Sequence, residues 1–353
     1  MNIPILPILI ASITTFVAIN LLRPFAISIN LVDKPNNRKL HAGSVPIIGG
    51  IAMFLGVVVS ILAAQVDLNQ FNYFLLSSLI IVIVGVLDDH HNISVSLRII
   101  FQVLVAIIIA TAGGVSIESF GNLLGYGDII LNVWAYFFTV IAIVAGMNSV
   151  NMTDGIHGLA GGNSLITFLA IVFLSIGEVN EYGVFHESMV IALLFCSVLP
   201  VFLINNLGLG VSKSKRVFMG DAGSLFVGLA IVWLLIDLSQ GENRVFAPVT
   251  ALWLFAMPLI EMVAAILRRL TSGKSPFKPD LSHSHHILIR IGISEKYTLQ
   301  LILLASLLMA VIGVIGELYG VAERAMFFGF LLVFGIYIFS YSVVLRNFKN
   351  NGK

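Results

Sequence analysis

Long apolar runs alternate with short polar segments from one end of the chain to the other. A hydrocarbon core about 30 Å thick is crossed by roughly 17–25 apolar helical residues. On that criterion eleven stretches read as spans: 3–22, 47–64, 71–87, 97–112, 129–146, 158–177, 188–204, 224–236 with an extension on both sides, 245–267, 297–315 and 325–345. The pattern predicts an all-α, polytopic protein forming one integral membrane domain over residues 1–353. The opening MNIPILPILI has no basic residue ahead of its apolar stretch, so it reads as a first span rather than a cleaved leader. No internal repeat or low-complexity tract is visible, and inverted repeats would have pointed to a transporter.

Composition supports the same solvent. The 353 residues are 58% hydrophobic and 10% charged, whereas soluble domains carry about 25% charged residues. The distribution of cations then sets an orientation. Seventeen of the 19 Lys and Arg fall in the odd-numbered loops and the C-terminal tail, leaving only Arg244 and Arg324 in the even-numbered loops. Basic residues favour the cytoplasmic side, which predicts the N-terminus outside and the C-terminus in the cytoplasm. A net charge of +1 without a Lys/Arg stripe gives no reason to expect a nucleic-acid partner. The sole cysteine, Cys196, lies in an apolar run and reads as an inert buried thiol.

Polar side chains are costly inside a membrane and informative for that reason. Here they gather in five segments on the predicted cytoplasmic side: LVDKPNNRKLHAGSVPIIGG (31–50), GVLDDHHNIS (85–94), NSVNMTDGIHGLAGG (148–162), SKSKRVFMGDAGS (212–224) and SPFKPDLSHSHHILIRIG (275–292). The active site is accordingly expected from the loops at 24–46, 88–97, 148–158, 206–223 and 268–296.

Each segment has a plain structural reading beside the chemical one. Asp88 and Asp89, adjacent at a helix end, are either solvated interfacial acids or a carboxylate pair for a divalent cation or a proton. Asn151 and Asp154, three apart, would share a face of a helical turn. The surrounding glycines fit helix–helix contacts as well as a ligand cradle. Asp221 opens the eighth span and could serve as a helix N-cap, as a metal ligand, or as both. Phe218 could stack on a base, or simply sit at the interface as aromatics do. His283, His285 and His286 lie beside Lys278 and Arg290. Without a cysteine or an H-x₃-H pair they suit phosphate oxygens better than zinc. Glu261, inside the ninth span, receives no catalytic role. Oxygen donors for a hard cation, cations for phosphates, an aromatic and glycines are the parts phosphoryl transfer uses.

Taken in order, DKPNNRKLH, VPIIGG, LDDHHNIS, NMTDGIHGLAGG, VFMGDAGS and SPFKPDLSHSHHILIR resemble the motifs of the polyprenyl-phosphate N-acetylhexosamine-1-phosphate transferase superfamily. The likeness runs over nearly the whole chain and is greatest to the bacterial undecaprenyl-phosphate GlcNAc-1-phosphate branch.

The resemblance implies attack by undecaprenyl phosphate on the β-phosphorus of UDP-GlcNAc with Mg²⁺, or alternatively Mn²⁺, releasing UMP and starting a lipid-linked glycan such as O-antigen or another cell-envelope polysaccharide. It implies Asn151 and Asp221 as metal ligands and Phe218 on the uracil. Asp88 and Asp89 would orient or deprotonate the lipid phosphate, and Asp154 would be a further catalytic acid. Asp33, Lys34, His41, His157, Lys278, His283, His285, His286 and Arg290 would bind substrate.

The expected setting is the cytoplasmic face of the cell inner membrane, and the candidate assembly is a homodimer. Two departures stand out: Asn92 and His157 occupy positions where the superfamily usually has Asp. The second leaves GalNAc, QuiNAc or FucNAc open as the donor sugar. A membrane transporter is the rival class, and it would place its polar residues near the bilayer midplane among broken helices.

Overall fold

The computed structural model describes residues 5–33, 44–63, 68–177, 188–209, 216–275 and 283–350. Thirteen α-helices are seen among them: α1 (Ile5–Ser28), α2 (Gly49–Ala63), α3 (Leu68–His91), α4 (Val95–Thr111), α5 (Ala135–Thr153), α6 (Leu159–Gly177), α7 (Met189–Leu207), α8 (Gly220–Asp237), α9 (Pro248–Leu254), α10 (Ala256–Thr271), α11 (Ser284–Arg290), α12 (Glu295–Leu318) and α13 (Glu323–Asn350). One two-residue antiparallel pair joins β1 (Val32–Asp33) to β2 (Val45–Pro46).

The apolar stretches become helices because a backbone in lipid must satisfy its own hydrogen bonds. Among the described residues, eight helices are long and apolar enough to cross a membrane, nine if the bent pair α9–α10 is one span. The stretches expected at 47–64 and 97–112 form α2 and α4, helices of 15 and 17 residues that fall short of that length. The chain is an all-α, multi-pass membrane protein.

Helix α8 is the axis of the bundle. Residues Ala222 through Ile236 are all buried, and the helix packs against α2, α3, α5, α6 and α9. Two glycines permit this crowding at its first turn. A Cβ on Gly50 of α2 would strike the Gly223 backbone, and one on Gly85 of α3 would strike the Ala222 backbone. Small residues let membrane helices approach to backbone contact, so α2 and α3 pin the start of α8 from two sides.

The ninth expected span is not continuous. It breaks at Phe255 with a bend of 85° between α9 and α10. Pro258 supplies the reason: its ring lacks an N–H and collides with the carbonyl four residues back, that of Leu254. The freed Leu254 carbonyl accepts the Thr167 hydroxyl at 2.9 Å. Trp253, Leu254, Phe255, Ala256 and Met257 are buried around the break, so it is lined by apolar side chains rather than by the polar cluster a transport site would need.

Candidate active site

The C-terminal ends of α3 and α5 and the starts of α4 and α8 meet at one end of the bundle. Asp88, in the last turn of α3, is buried and accepts a hydrogen bond from Arg98 Nη1 at 2.6 Å. The same nitrogen donates to Asp221 Oδ2 at 2.9 Å. Asp221 Oδ1 in turn accepts from the Asn151 amide at 2.5 Å, and that amide also reaches Ser224 Oγ at 3.0 Å. Four helices therefore contribute to a single network: Asp88 from α3, Arg98 from α4, Asn151 from α5, and Asp221 with Ser224 from α8.

Asp89 faces elsewhere. Adjacent helical residues point about 100° apart. While Asp88 turns to Arg98, the Asp89 carboxylate accepts the backbone N–H of Asp221 at 2.9 Å and of Ala222 at 3.2 Å. The N-cap position of α8 is Met219, which has no side-chain cap bond. Asp89 thus satisfies N–H groups that would otherwise lack partners, and the capping role considered for Asp221 belongs to a residue 132 positions upstream.

Asn92 lies just past the end of α3. Asn92 has φ +50, and its N–H returns to the Asp88 carbonyl at 2.8 Å, closing α3. Asn tolerates that left-handed backbone better than most residues.

Phe218 precedes α8 in an extended segment. Its N–H bonds the Pro46 carbonyl and its carbonyl accepts the Gly49 N–H, each at 2.9 Å. One face of its half-buried ring stacks on His157, with centroids 5.1 Å apart and planes 26° apart. Asp33 sits one strand away, in β1 opposite Val45. Helix α5 stops at Thr153, so Asp154 lies outside the helical turn that the sequence spacing assumed and is exposed.

The histidines enter from α11. His285 is 2% exposed, and its Nε2 lies where a Cβ on Gly155 would be, which brings α11 against the turn following Asn151. Its ring stacks parallel to that of His283 at 5.7 Å and lies 4.1 Å from that of His286. Burial, then the neighbouring His286 and His283, push the His285 imidazole down to about 3 from its ordinary 6.5. Arg290 is exposed at the C-terminal end of α11. Lys34, His41 and Lys278 lie outside the described residues.

Sequence reasoning missed Arg98. It is one of the seventeen cations that set the orientation, although its position ten residues after Asp88 puts it at the beginning of the helix that returns from α3. Its Nε is buried without a hydrogen-bond partner among the described residues.

The donors at the network suit a hard divalent cation. Two carboxylates and an amide supply oxygens, and because one guanidinium nitrogen already touches both Asp88 and Asp221, those oxygens stand within reach of a common cation. Among the described residues no three His, Cys, Asp or Glu form a ready cage. Mg²⁺ bound through one or two carboxylates and completed by substrate phosphates and water needs none.

Acids, an amide and a guanidinium thus meet at one end of the helical bundle of a polytopic membrane protein. Residues 71–239, from α3 to just past α8, match the family described as Glycosyl transferase family 4. Over 316 residues the chain is 40% identical to the undecaprenyl-phosphate alpha-N-acetylglucosaminyl 1-phosphate transferase of Yersinia pestis, covering 89% of this chain and 85% of that protein. The protein of the same name from Haemophilus influenzae is 40% identical over 335 residues, 95% of this chain and 93% of its own. That from Escherichia coli K12 is 38% identical over 317 residues, 89% and 84% respectively. The chain belongs to glycosyl transferase family 4 and is a transferase.

Proposed function

We propose that this protein transfers GlcNAc-1-phosphate from UDP-GlcNAc to undecaprenyl phosphate on the cytoplasmic face of the inner membrane, releasing UMP and starting a lipid-linked cell-envelope glycan such as O-antigen. The observation that carries the reading is the Asp88–Arg98–Asp221–Asn151 network, assembled from four helices at one end of the bundle. The topology that goes with it has eleven spans, counting α2, α4 and the α9–α10 pair, with the N-terminus outside and the C-terminus in the cytoplasm.

In the reaction an oxygen of the lipid phosphate attacks the β-phosphorus of the donor, and the bond from that phosphorus to the bridging oxygen breaks, so UMP leaves with the electron pair. Such transfers are catalysed mostly by positioning and charge neutralisation. Asn151 and Asp221 would hold Mg²⁺ or Mn²⁺, which when bound neutralises diphosphate oxygens. Arg98 adds a fixed cation beside them, with a planar fork suited to phosphate oxygens. Asp88 orients the lipid phosphate, a monoester that needs little deprotonation at neutral pH. Asp89 contributes by holding the first turn of α8, and hence Asp221, in place. The donor end falls to Phe218, His157, Asp154 and Asp33, the α11 histidines and Arg290, with Lys34, His41 and Lys278.

A second donor is favoured by one observation. His157, stacked on Phe218, stands where the superfamily's usual Asp would accept hydrogen bonds, and an imidazole can also donate them. GalNAc, QuiNAc and FucNAc nucleotides are therefore the alternative donors. The homodimer belongs to the same proposal, and mass measurement in detergent tests it. The deciding experiment is purified protein with undecaprenyl phosphate, Mg²⁺ and a panel of UDP-sugars, following UMP. Release with UDP-GlcNAc, abolished by chelation, is expected. Release with none of the panel would overturn the reading.

A further inference from the structure

Glu261 sits in the interior of α10 and is 6% exposed. An anion so placed is expensive, and here both of its oxygens are engaged. Oε1 accepts the Tyr337 hydroxyl of α13 at 2.8 Å and the Ser284 N–H at 3.3 Å. Oε2 accepts the same N–H at 3.3 Å and faces His283 Nδ1 at 3.5 Å. Ser284 and His283 lie at the start of α11, a helix of seven residues whose N-cap, His283, makes no side-chain cap bond of its own. Two turns of helix do not hold themselves together. A carboxylate meeting the first N–H of the helix and an imidazole together is favourable where a neutral anchor would gain less.

Helix α11 then carries His285 onto the Gly155 turn, where a Cβ would collide with its ring. That turn follows Asn151 by four residues. On the far side, Arg268 of α10 lies over the Tyr341 ring of α13 at 4.1 Å, so α13 braces α10 along the same edge.

We propose that Glu261 is a positioning residue for the transfer. Held by Tyr337, it anchors α11 so that His285 packs against the Asn151–Gly155 end of α5 and the α11 histidines face the donor. The proposal rests on the functional reading above for its kinetic consequence, but not for its structural one. A side chain seven residues before Arg268 in an apolar span thereby controls a loop that the sequence treats as separate from it.

The test compares wild type with Glu261→Gln, Glu261→Asp and Tyr337→Phe in the full-length protein. Hydrogen exchange of the 284–290 amides needs no substrate. Glu261→Gln is expected to speed it about ten-fold, as for loss of one charge-assisted hydrogen bond, while exchange in α12 stays as in wild type. In the UDP-GlcNAc assay its kcat should fall about ten- to a hundred-fold, the usual effect of removing an outer-shell support. The Mg²⁺ concentration for half-activity should not move, because Asn151 and Asp221 are untouched. Glu261→Asp should recover part of both losses. Unchanged exchange, or wild-type kcat in folded Glu261→Gln, overturns the proposal. Should Glu261→Gln not fold, Tyr337→Phe decides, with faster 284–290 exchange expected and unchanged exchange overturning. A wild type inert with every UDP-sugar would sink the functional reading alone, since the exchange result would still settle the anchoring.

Discussion

Arg98 stands between two carboxylates, Asp88 and Asp221, that would otherwise repel each other across α3 and α8. It compensates them and adds a cation where phosphate oxygens would lie. Arg98→Ala is expected to lower kcat/KM by about 10²–10³-fold, the range for removing one preorganised charge-stabilising donor. Arg98→Lys keeps the charge without the planar fork and should recover only part. Initial rates of UMP release beside a melting curve make the measurement, and near-normal turnover in a folded Arg98→Ala would remove the residue from the site.

His285 gives a second residue-scale prediction, through pH. Folded, it stays neutral down to about 3, and unfolded it takes up a proton near 6.5. Between those values the unfolded state binds one more proton, so stability rises with pH and is lost on acidification, by about 1.4 kcal/mol per pH unit. Melting temperature should therefore fall from pH 7 to pH 5, above the range where most carboxylates titrate. His285→Asn should flatten that slope, and an identical slope in the variant would mean that His285 is not its source.

At the scale of the element, Asp89 and α8 illustrate how a long-range contact builds a local motif. The first turn of α8 carries Asp221, and the carboxylate that satisfies its N–H groups comes from α3. Asp89→Ala should cost about 0.5–2 kcal/mol, as for a lost N-cap, and should weaken activity through the displacement of Asp221. Asp89→Asn retains an acceptor and should keep most of the stability. Melting curves and rates on the two variants check this, and full activity with unchanged melting in Asp89→Ala would count against the cap.

This contact also marks the limit of what the chain discloses in one dimension. Apolar runs announced their helices, because lipid leaves the backbone no other partner, and Asp88, Asn151, Asp221 and His285 stood out as polar residues beside such runs. The division of labour between Asp88 and Asp89 did not stand out, since it depends on which helix packs where. Arg98 was hidden for a different reason: a lone cation at a helix start is what topology alone requires. The break at Phe255 was half visible in Pro258, but the Thr167 hydroxyl that makes it tolerable lies 87 positions upstream of the carbonyl it serves.

For the whole molecule, the asymmetry of the 19 basic residues and the position of the acids must agree on one side of the membrane. Asp88, Arg98, Asp221 and α11 share one end of the bundle, whereas Arg244 and Arg324 line a cavity at the other, with Asn122, Glu317 and Glu323. Two exposed positions report on the two ends: Arg290 at the end of α11, and Tyr126, 96% exposed in the connection between α4 and α5. Cys196 is the sole cysteine, so a Cys196→Ser background leaves each probe alone. Arg290→Cys should react with a membrane-impermeant maleimide in inverted inner-membrane vesicles and stay silent in spheroplasts, and Tyr126→Cys should do the reverse. The opposite pattern would put the acids on the outer face, where no nucleotide sugar is made, and the cytoplasmic donor could not be the substrate. Labelling of both probes from one side would mean an even number of crossings between residues 126 and 290, where α5, α6, α7, α8 and the α9–α10 pair make five; the bent pair would then be a re-entrant segment rather than a span.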